Sequence, residues 1–126
     1  MLDIQSEYLV IGISPKRGRG VFAKKKLYTG LVIGITPSWE LSPDDISAMD
    51  RSTIEGFWFD HPSKIGWGLL PLGIAALLNH SSKPNSCLDW LTTETGYVGK
   101  LTSIEKIDEG HEIFIDYKIF TPEDWV

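Results

Sequence analysis

The chain has 126 residues, 42% hydrophobic and 23% charged, with 12 Lys and Arg against 17 Asp and Glu and a single cysteine. That length predicts one compact domain spanning 1–126, and the composition is that of an ordinary globular protein, not a disordered or collagen-like one. A lone Cys87 excludes an internal disulfide and a zinc site built on several thiolates, and it points to an intracellular setting.

The start of the chain, with Asp3 and Glu7 ahead of Tyr8 to Ile13, lacks the order of a secretory signal. Tyr8 to Ile13, Gly20 to Ala23 and Leu31 to Ile35 are short runs rich in β-branched and aromatic residues, separated by Ser14-Pro15 and Thr29-Gly30, and read as strands. Ser42-Pro43-Asp44-Asp45 offers a capping serine, a proline at the first helical position and two carboxylates in the first turn, so a short helix is predicted to run to about Met49. Ile54 to Phe59 reads as a further strand, and Leu72 to Leu78 as one or two buried helical turns. No Lys, Arg, Asp or Glu stands between Lys64 and Lys83, but Gly66, Gly68, Pro71 and Gly73 interrupt the apolar part. It falls short of the roughly 20 residues that cross a bilayer, so no membrane partner is expected. Ser86 to Leu91, Tyr97 to Thr102 and Glu112 to Tyr117 supply three more strands, with turns at Glu94-Thr95-Gly96 and Asp108-Glu109-Gly110. Many short strands with little helix predict a β-rich α+β fold.

Charge is uneven. The first 30 residues carry six basic and two acidic side chains, and the remainder six basic and fifteen acidic. An acidic surface repels phosphate backbones and attracts lysine-rich polypeptide, which favours a basic protein partner over nucleic acid; the plainer reading is a solvated acidic face.

Taken singly, the polar motifs are ambiguous. Arg17-Gly18-Arg19-Gly20 is a simple turn or a place where bare backbone approaches a ligand, but not a dinucleotide or phosphate loop. Asn79-His80-Ser81-Ser82-Lys83-Pro84-Asn85 is a capped helix end followed by a turn, or a functional cluster. No nucleophile elbow surrounds Ser81 or Ser82, and His61, His80 and His111 lack the spacing of metal ligands, so no metal is expected. Lys24-Lys25-Lys26 suits a solvated strand end. Alternation in Glu112 to Tyr117 predicts Ile113 and Ile115 on a buried face, with Phe114 and Asp116 opposite.

In order and spacing, Gly18-Arg19-Gly20-Val21-Phe22-Ala23, Leu72-Gly73-Ile74, Asn79-His80-Ser81 with Pro84-Asn85, and Gly110-His111-Glu112-Ile113 with Asp116-Tyr117 resemble the SET-domain protein lysine methyltransferases, in particular their compact viral and bacterial members. The resemblance covers nearly the whole chain. It implies a SET-like fold of several small sheets, with a knot-like threading of the C-terminal strand beside the Asn-His-Ser segment, and residues 118–126 as a short flank in place of a cysteine-rich module. The implied activity moves a methyl group from S-adenosylmethionine to a lysine of a basic protein such as a histone, without a metal.

By matching position, the resemblance places Gly18, Arg19, Gly20, Asn79, His80 and Tyr117 at the cofactor, and makes Tyr117 the residue beside the transferred methyl. Phe57 and Phe59, in a stretch where the family commonly carries a tyrosine, would join Tyr117 in lining the lysine channel. Trp125, eight residues beyond Tyr117, is expected to close over the adenine or to plug the domain's own core. A homodimer is expected from the resemblance and from large apolar side chains such as Trp39, Trp58, Trp67 and Trp90 in so small a chain. Two other readings remain: a catalytically silent SET-like module that binds peptide or cofactor, and a small nucleic-acid-binding barrel using Arg17 to Lys26.

Overall fold

The computed structural model describes residues 6–15 and 17–117. Strands β1 (Leu9–Ser14) and β2 (Gly18–Ala23) form an antiparallel hairpin in which Gly12 faces Gly20. Its turn ends at Gly18, whose φ of +83° lies in the left-handed region that favours glycine.

β3 (Val32–Leu41) is longer than the predicted Leu31 to Ile35, because it runs through Pro37. Proline lacks the ladder N–H, and Pro37 stands at the handover between two partners: Val32 to Pro37 pairs with β8 (Gly96–Ser103), and Ser38 to Leu41 pairs with β5 (Gly68–Pro71). With β4 (Phe59–Asp60) on β5 and β7 (Ser86–Thr93) on β8, these strands form a five-stranded sheet of order β4-β5-β3-β8-β7, every pair antiparallel. β6 (Asn79–His80) and β9 (Phe114–Ile115) make a third, parallel pair.

The helix α1 (Pro43–Met49) starts as its residues demand. Ser42 Oγ accepts from the Asp45 N–H at 3.2 Å and Asp45 Oδ2 accepts from the Ser42 N–H at 2.9 Å, a reciprocal capping box. After it the structure departs from the predicted strand at Ile54 to Phe59: only Phe59 belongs to a strand, and residues 51–56 are turns. Side chains win the competition for backbone there. Ser52 Oγ donates to the Met49 carbonyl at 2.7 Å, and Asp50 Oδ1 accepts from both the Gly56 N–H and Trp58 Nε1 at 3.1 Å, leaving no ladder to extend.

Leu72 to Leu78 contains the expected short helical segment as a 3₁₀ turn, Ile74–Leu77, and Leu78 leads straight into β6. Leu9, Val21, Leu27, Ile33, Leu78, Leu101, Ile107, Ile113 and Ile115 are buried together and join the hairpin, the large sheet and the β6–β9 pair into one core. Among the described residues no helix is long and apolar enough to cross a membrane.

Candidate functional site

The β6–β9 pair is two residues long and brings together two distant parts of the sequence, with Asn79 beside Phe114 and His80 beside Ile115. Ile113 and Ile115 are fully buried, which fixes the register by hydrophobic alternation, as the sequence predicts. Asn85 extends the pairing with its side chain: Nδ2 donates to the Glu112 carbonyl at 2.8 Å and Oδ1 accepts from the Phe114 N–H at 2.9 Å. An amide side chain thus stands in for a missing strand, and Tyr117 is delivered next to the Asn79-His80 segment.

Tyr117 is held at three points. Its hydroxyl donates to the Leu78 carbonyl at 2.6 Å, its backbone N–H donates to His80 Nδ1 at 3.1 Å, and its ring meets Phe59 edge-on at 5.7 Å. Burial pushes the Tyr117 hydroxyl up from its ordinary value, against the smaller opposing pull of the Arg17 charge. A phenol in this setting keeps its proton at neutral pH and acts as a donor. Since His80 Nδ1 accepts a hydrogen bond, the neutral ring carries its proton on Nε2.

The Asn79 amide has its hydrogens committed: Nδ2 donates to the Arg19 carbonyl at 2.9 Å and to Glu112 Oε2 at 2.7 Å. Oδ1 accepts no hydrogen bond among the described residues, yet no buried side-chain polar atom there lacks a partner, so Oδ1 is open to solvent or ligand. Gly20 lies directly behind. A Cβ on Gly20 would overlap Glu112 Oε2 and approach Asn79 Nδ2 to 2.9 Å, so glycine here leaves room for these two side chains to meet.

Two clefts meet at this site. The larger, about 570 Å³, is lined by Arg17, Arg19, Phe57, Trp58, Asn79 and the 3₁₀ turn, and the smaller, about 290 Å³, by Leu88, Trp90, Asp60, Asp89 and Asp116. Phe59 and Tyr117 line both. Trp90 packs on Phe59 at 5.7 Å, so the second cleft has an aromatic wall and an acidic complement.

Of the residues singled out in the sequence, Arg19, Asn79, Phe57, Phe59 and Tyr117 thus line one cleft, whereas Gly18, Gly20 and His80 do not. Gly18 serves the hairpin turn, Gly20 the packing of Asn79, and His80 the placement of Tyr117. Trp125 and the 118–126 flank lie outside the described residues. Two participants were not singled out as site residues, Glu112 and Ser14, whose hydroxyl donates to Glu112 Oε1 at 2.6 Å, and Arg17, noted only for its turn and for the nucleic-acid reading, holds its guanidinium 5.2 Å over the Phe114 ring. Glu112 lies inside a quoted motif, but its side-chain partner is 33 positions away and no local pattern reveals it. Among the described residues no cluster of His, Cys, Asp and Glu is suited to a metal ion.

The fold and this site define a known class. The SET domain family model matches residues 18–118, and the chain belongs to the SET domain family. The crystal structure of a Plasmodium falciparum protein assigned as a histone methyltransferase is similar at a TM-score of 0.73 and 25% identity, over 94% of this chain and 96% of that one. A structure of ctPRC2 in an autoinhibited conformation, bound to S-adenosylmethionine, has a TM-score of 0.76 at 20% identity, over 94% of this chain but 16% of that longer one. A structure of the Chaetomium thermophilum Polycomb Repressive Complex 2 bound to an inhibitor gives 0.74 at 19% identity, over 94% of this chain and 17% of that one. No curated protein sequence matches the chain.

Proposed function

We propose that this SET domain is a protein-lysine N-methyltransferase that takes its methyl group from S-adenosylmethionine and acts on a lysine of a basic protein such as a histone. The observation that carries the reading is that Phe59 and Tyr117 line both clefts, so that ligands seated in the two would meet at one aromatic pair. The larger cleft fits the cofactor in size, lying within the roughly 300–1,000 Å³ usual for small-molecule sites. It also fits in chemistry: Asn79 presents an acceptor for a ligand amine or hydroxyl, Arg17 and Arg19 bring positive charge for a carboxylate, and Phe57, Ala75 and Ala76 supply apolar wall.

When bound, S-adenosylmethionine supplies an activated methyl group on a sulfonium. The protein's part is to bind, orient and exclude water. Asp60, Asp89 and Asp116 attract the substrate lysine as a cation, while the rings of Phe59, Trp90 and Tyr117 offer it a poorly solvating wall that disfavours the charge. Only the neutral amine is a nucleophile, and its proton leaves to water. The Tyr117 hydroxyl, pinned on the Leu78 carbonyl, then presents its oxygen and that carbonyl as acceptors for weak C–H···O contacts that orient the transferred group.

Incubating the protein with methyl-labelled cofactor and a panel of histones and cell-extract proteins tests the reading. Label appearing on lysine in wild type, and lost in Asn79→Ala, is the expected result. Cofactor binding without transfer to any protein would favour the catalytically silent module; salt-sensitive DNA binding without cofactor binding would favour the nucleic-acid barrel.

A further inference from the structure

We infer that Glu112 is a positioning residue: its carboxylate fixes the Asn79 amide in the one orientation that leaves Oδ1 available to the larger cleft. The inference rests on reading that cleft as the cofactor site. Glu112 does not itself line the cleft.

The orientation of an amide is ordinarily ambiguous, because its oxygen and nitrogen are alike in shape. Here the surroundings decide it. Two acceptors, the Arg19 carbonyl at 2.9 Å and Glu112 Oε2 at 2.7 Å, flank the same end of the Asn79 side chain. Turning the amide over would set Oδ1 against both of them, oxygen against oxygen, with one partner carrying a full negative charge.

The carboxylate is itself held. Ser14, 2% exposed at the end of β1, donates its hydroxyl to Glu112 Oε1 at 2.6 Å, and Gly20 in β2 leaves the space that Oε2 occupies. Among the described residues Glu112 makes no ion pair, so its charge is met there by the Ser14 hydroxyl and the Asn79 amide, as charge-assisted hydrogen bonds stronger than neutral ones. β1, β2 and β6 thus converge on one carboxylate, and the atom whose position it determines is Asn79 Oδ1.

The test is a double-mutant cycle read by calorimetry with S-adenosylhomocysteine, alongside the melting temperature of each ligand-free protein. Glu112→Ala should weaken binding by about 10- to 100-fold, the range for a buried hydrogen bond that is broken or misplaced. Glu112→Gln should restore most of it, since Oε1 still accepts from Asn79 while Nε2 donates to Ser14. In an Asn79→Ala background, Glu112→Ala should cost little more, because the two act as one unit. Equal costs in both backgrounds, or no cost in either, would overturn the assignment. Should Glu112→Ala not fold, Glu112→Asp, one methylene too short to reach both partners, takes its place.

A second readout needs no ligand. The two side-chain amide protons of Asn79 should be distinct and protected from exchange in wild type and Glu112→Gln, and should lose that protection in Glu112→Ala. Wild type that fails to bind S-adenosylhomocysteine overturns the reading of the cleft, and the amide protons then decide the role of Glu112 by themselves: protection that survives Glu112→Ala refutes it.

Discussion

The hydroxyl of Tyr117 is anchored 2.6 Å from the carbonyl of Leu78, the residue immediately before the Asn79-His80 strand, so the end of β9 and the start of β6 are tied at the point where the two clefts meet. Tyr117→Phe removes that tie and nothing else of the ring. The fold should survive with a loss of about 0.5–1.5 kcal/mol, one hydrogen bond's worth. Binding of S-adenosylhomocysteine should be unchanged, while methyl transfer slows or the number of methyls per lysine changes, as mass spectrometry of the product would show. An unchanged rate and product distribution would remove Tyr117 from the channel.

The two glycines of the Gly18-Arg19-Gly20 segment should respond differently to alanine. At Gly18 an added Cβ meets nothing within 4 Å, but φ is +83°, so Gly18→Ala should cost about 1–2 kcal/mol of backbone strain and leave ligand binding intact. At Gly20 the backbone is unstrained but the space is filled, and Gly20→Ala must displace Glu112 Oε2 and Asn79 Nδ2. Both atoms are side-chain ends that can swing aside, so what is lost is the hydrogen bond between them, about 1.5–3 kcal/mol for one made to a charged group. The discriminating result is cofactor affinity, which should fall in Gly20→Ala and hold in Gly18→Ala; the reverse pattern would contradict the packing role of Gly20.

What the sequence revealed and what it hid divide along physical lines. Capping chemistry is local, so Ser42, Pro43 and Asp45 announced the helix correctly. Alternation is local too, and Ile113 and Ile115 fell on the buried face as expected. The expected strand at Ile54 to Phe59 failed because the carboxylate of Asp50 captures the Gly56 N–H and the Trp58 indole, a choice that propensity does not register. β5 and β6 escaped notice because a short strand is defined by its partners: Asn79 pairs with Phe114, 35 positions away, and Gly68 pairs with Leu41, 27 positions away, and with Asp60 in the equally short β4. At the site, Asn79 and Tyr117 were legible from motif order, whereas the clamp of Ser14, Glu112 and Gly20 needs three-dimensional proximity.

The exposed face of the large sheet makes assembly testable. Trp39 is 66% exposed and Ile35 58%, and on the same sheet Pro37, Val98 and Leu91 stand in one cross-strand row, with Leu91 42% exposed. Covering such a strip would remove apolar area from water at about 25 cal/mol per Å². Sedimentation at micromolar concentration should therefore show a homodimer that Trp39→Glu converts to monomer. A wild type that sediments as monomer refutes this, and a Trp39→Glu dimer places the interface on another face.

A charged cluster around Glu40 adjoins the smaller cleft, since its His61 stands between Asp60 and Pro62 of the cleft wall, and it should make stability depend on pH. Glu40 accepts from Lys64 Nζ at 2.6 Å and from Nε2 of the buried His61 at 3.0 Å, while His61 Nδ1 accepts the Ser63 and Lys64 N–H groups, both at 3.0 Å. The hydrogen bond from Lys64, followed by that from His61, holds the Glu40 carboxyl below its ordinary value of 4.5. A carboxyl with a depressed value in the folded state binds fewer protons there than in the unfolded chain, so stability rises with pH across the window between the two values. The contribution is therefore fully present above pH 4.5 and is lost as the pH falls through the folded value. Glu40→Gln removes the charge but keeps an acceptor. Its melting temperature should lie below that of wild type by a constant margin near neutral pH, and the margin should close as both proteins are acidified below pH 4.5. A margin that persists unchanged into strong acid would mean that Glu40 acts by shape and not by charge, and a margin that widens would contradict the sign of the shift.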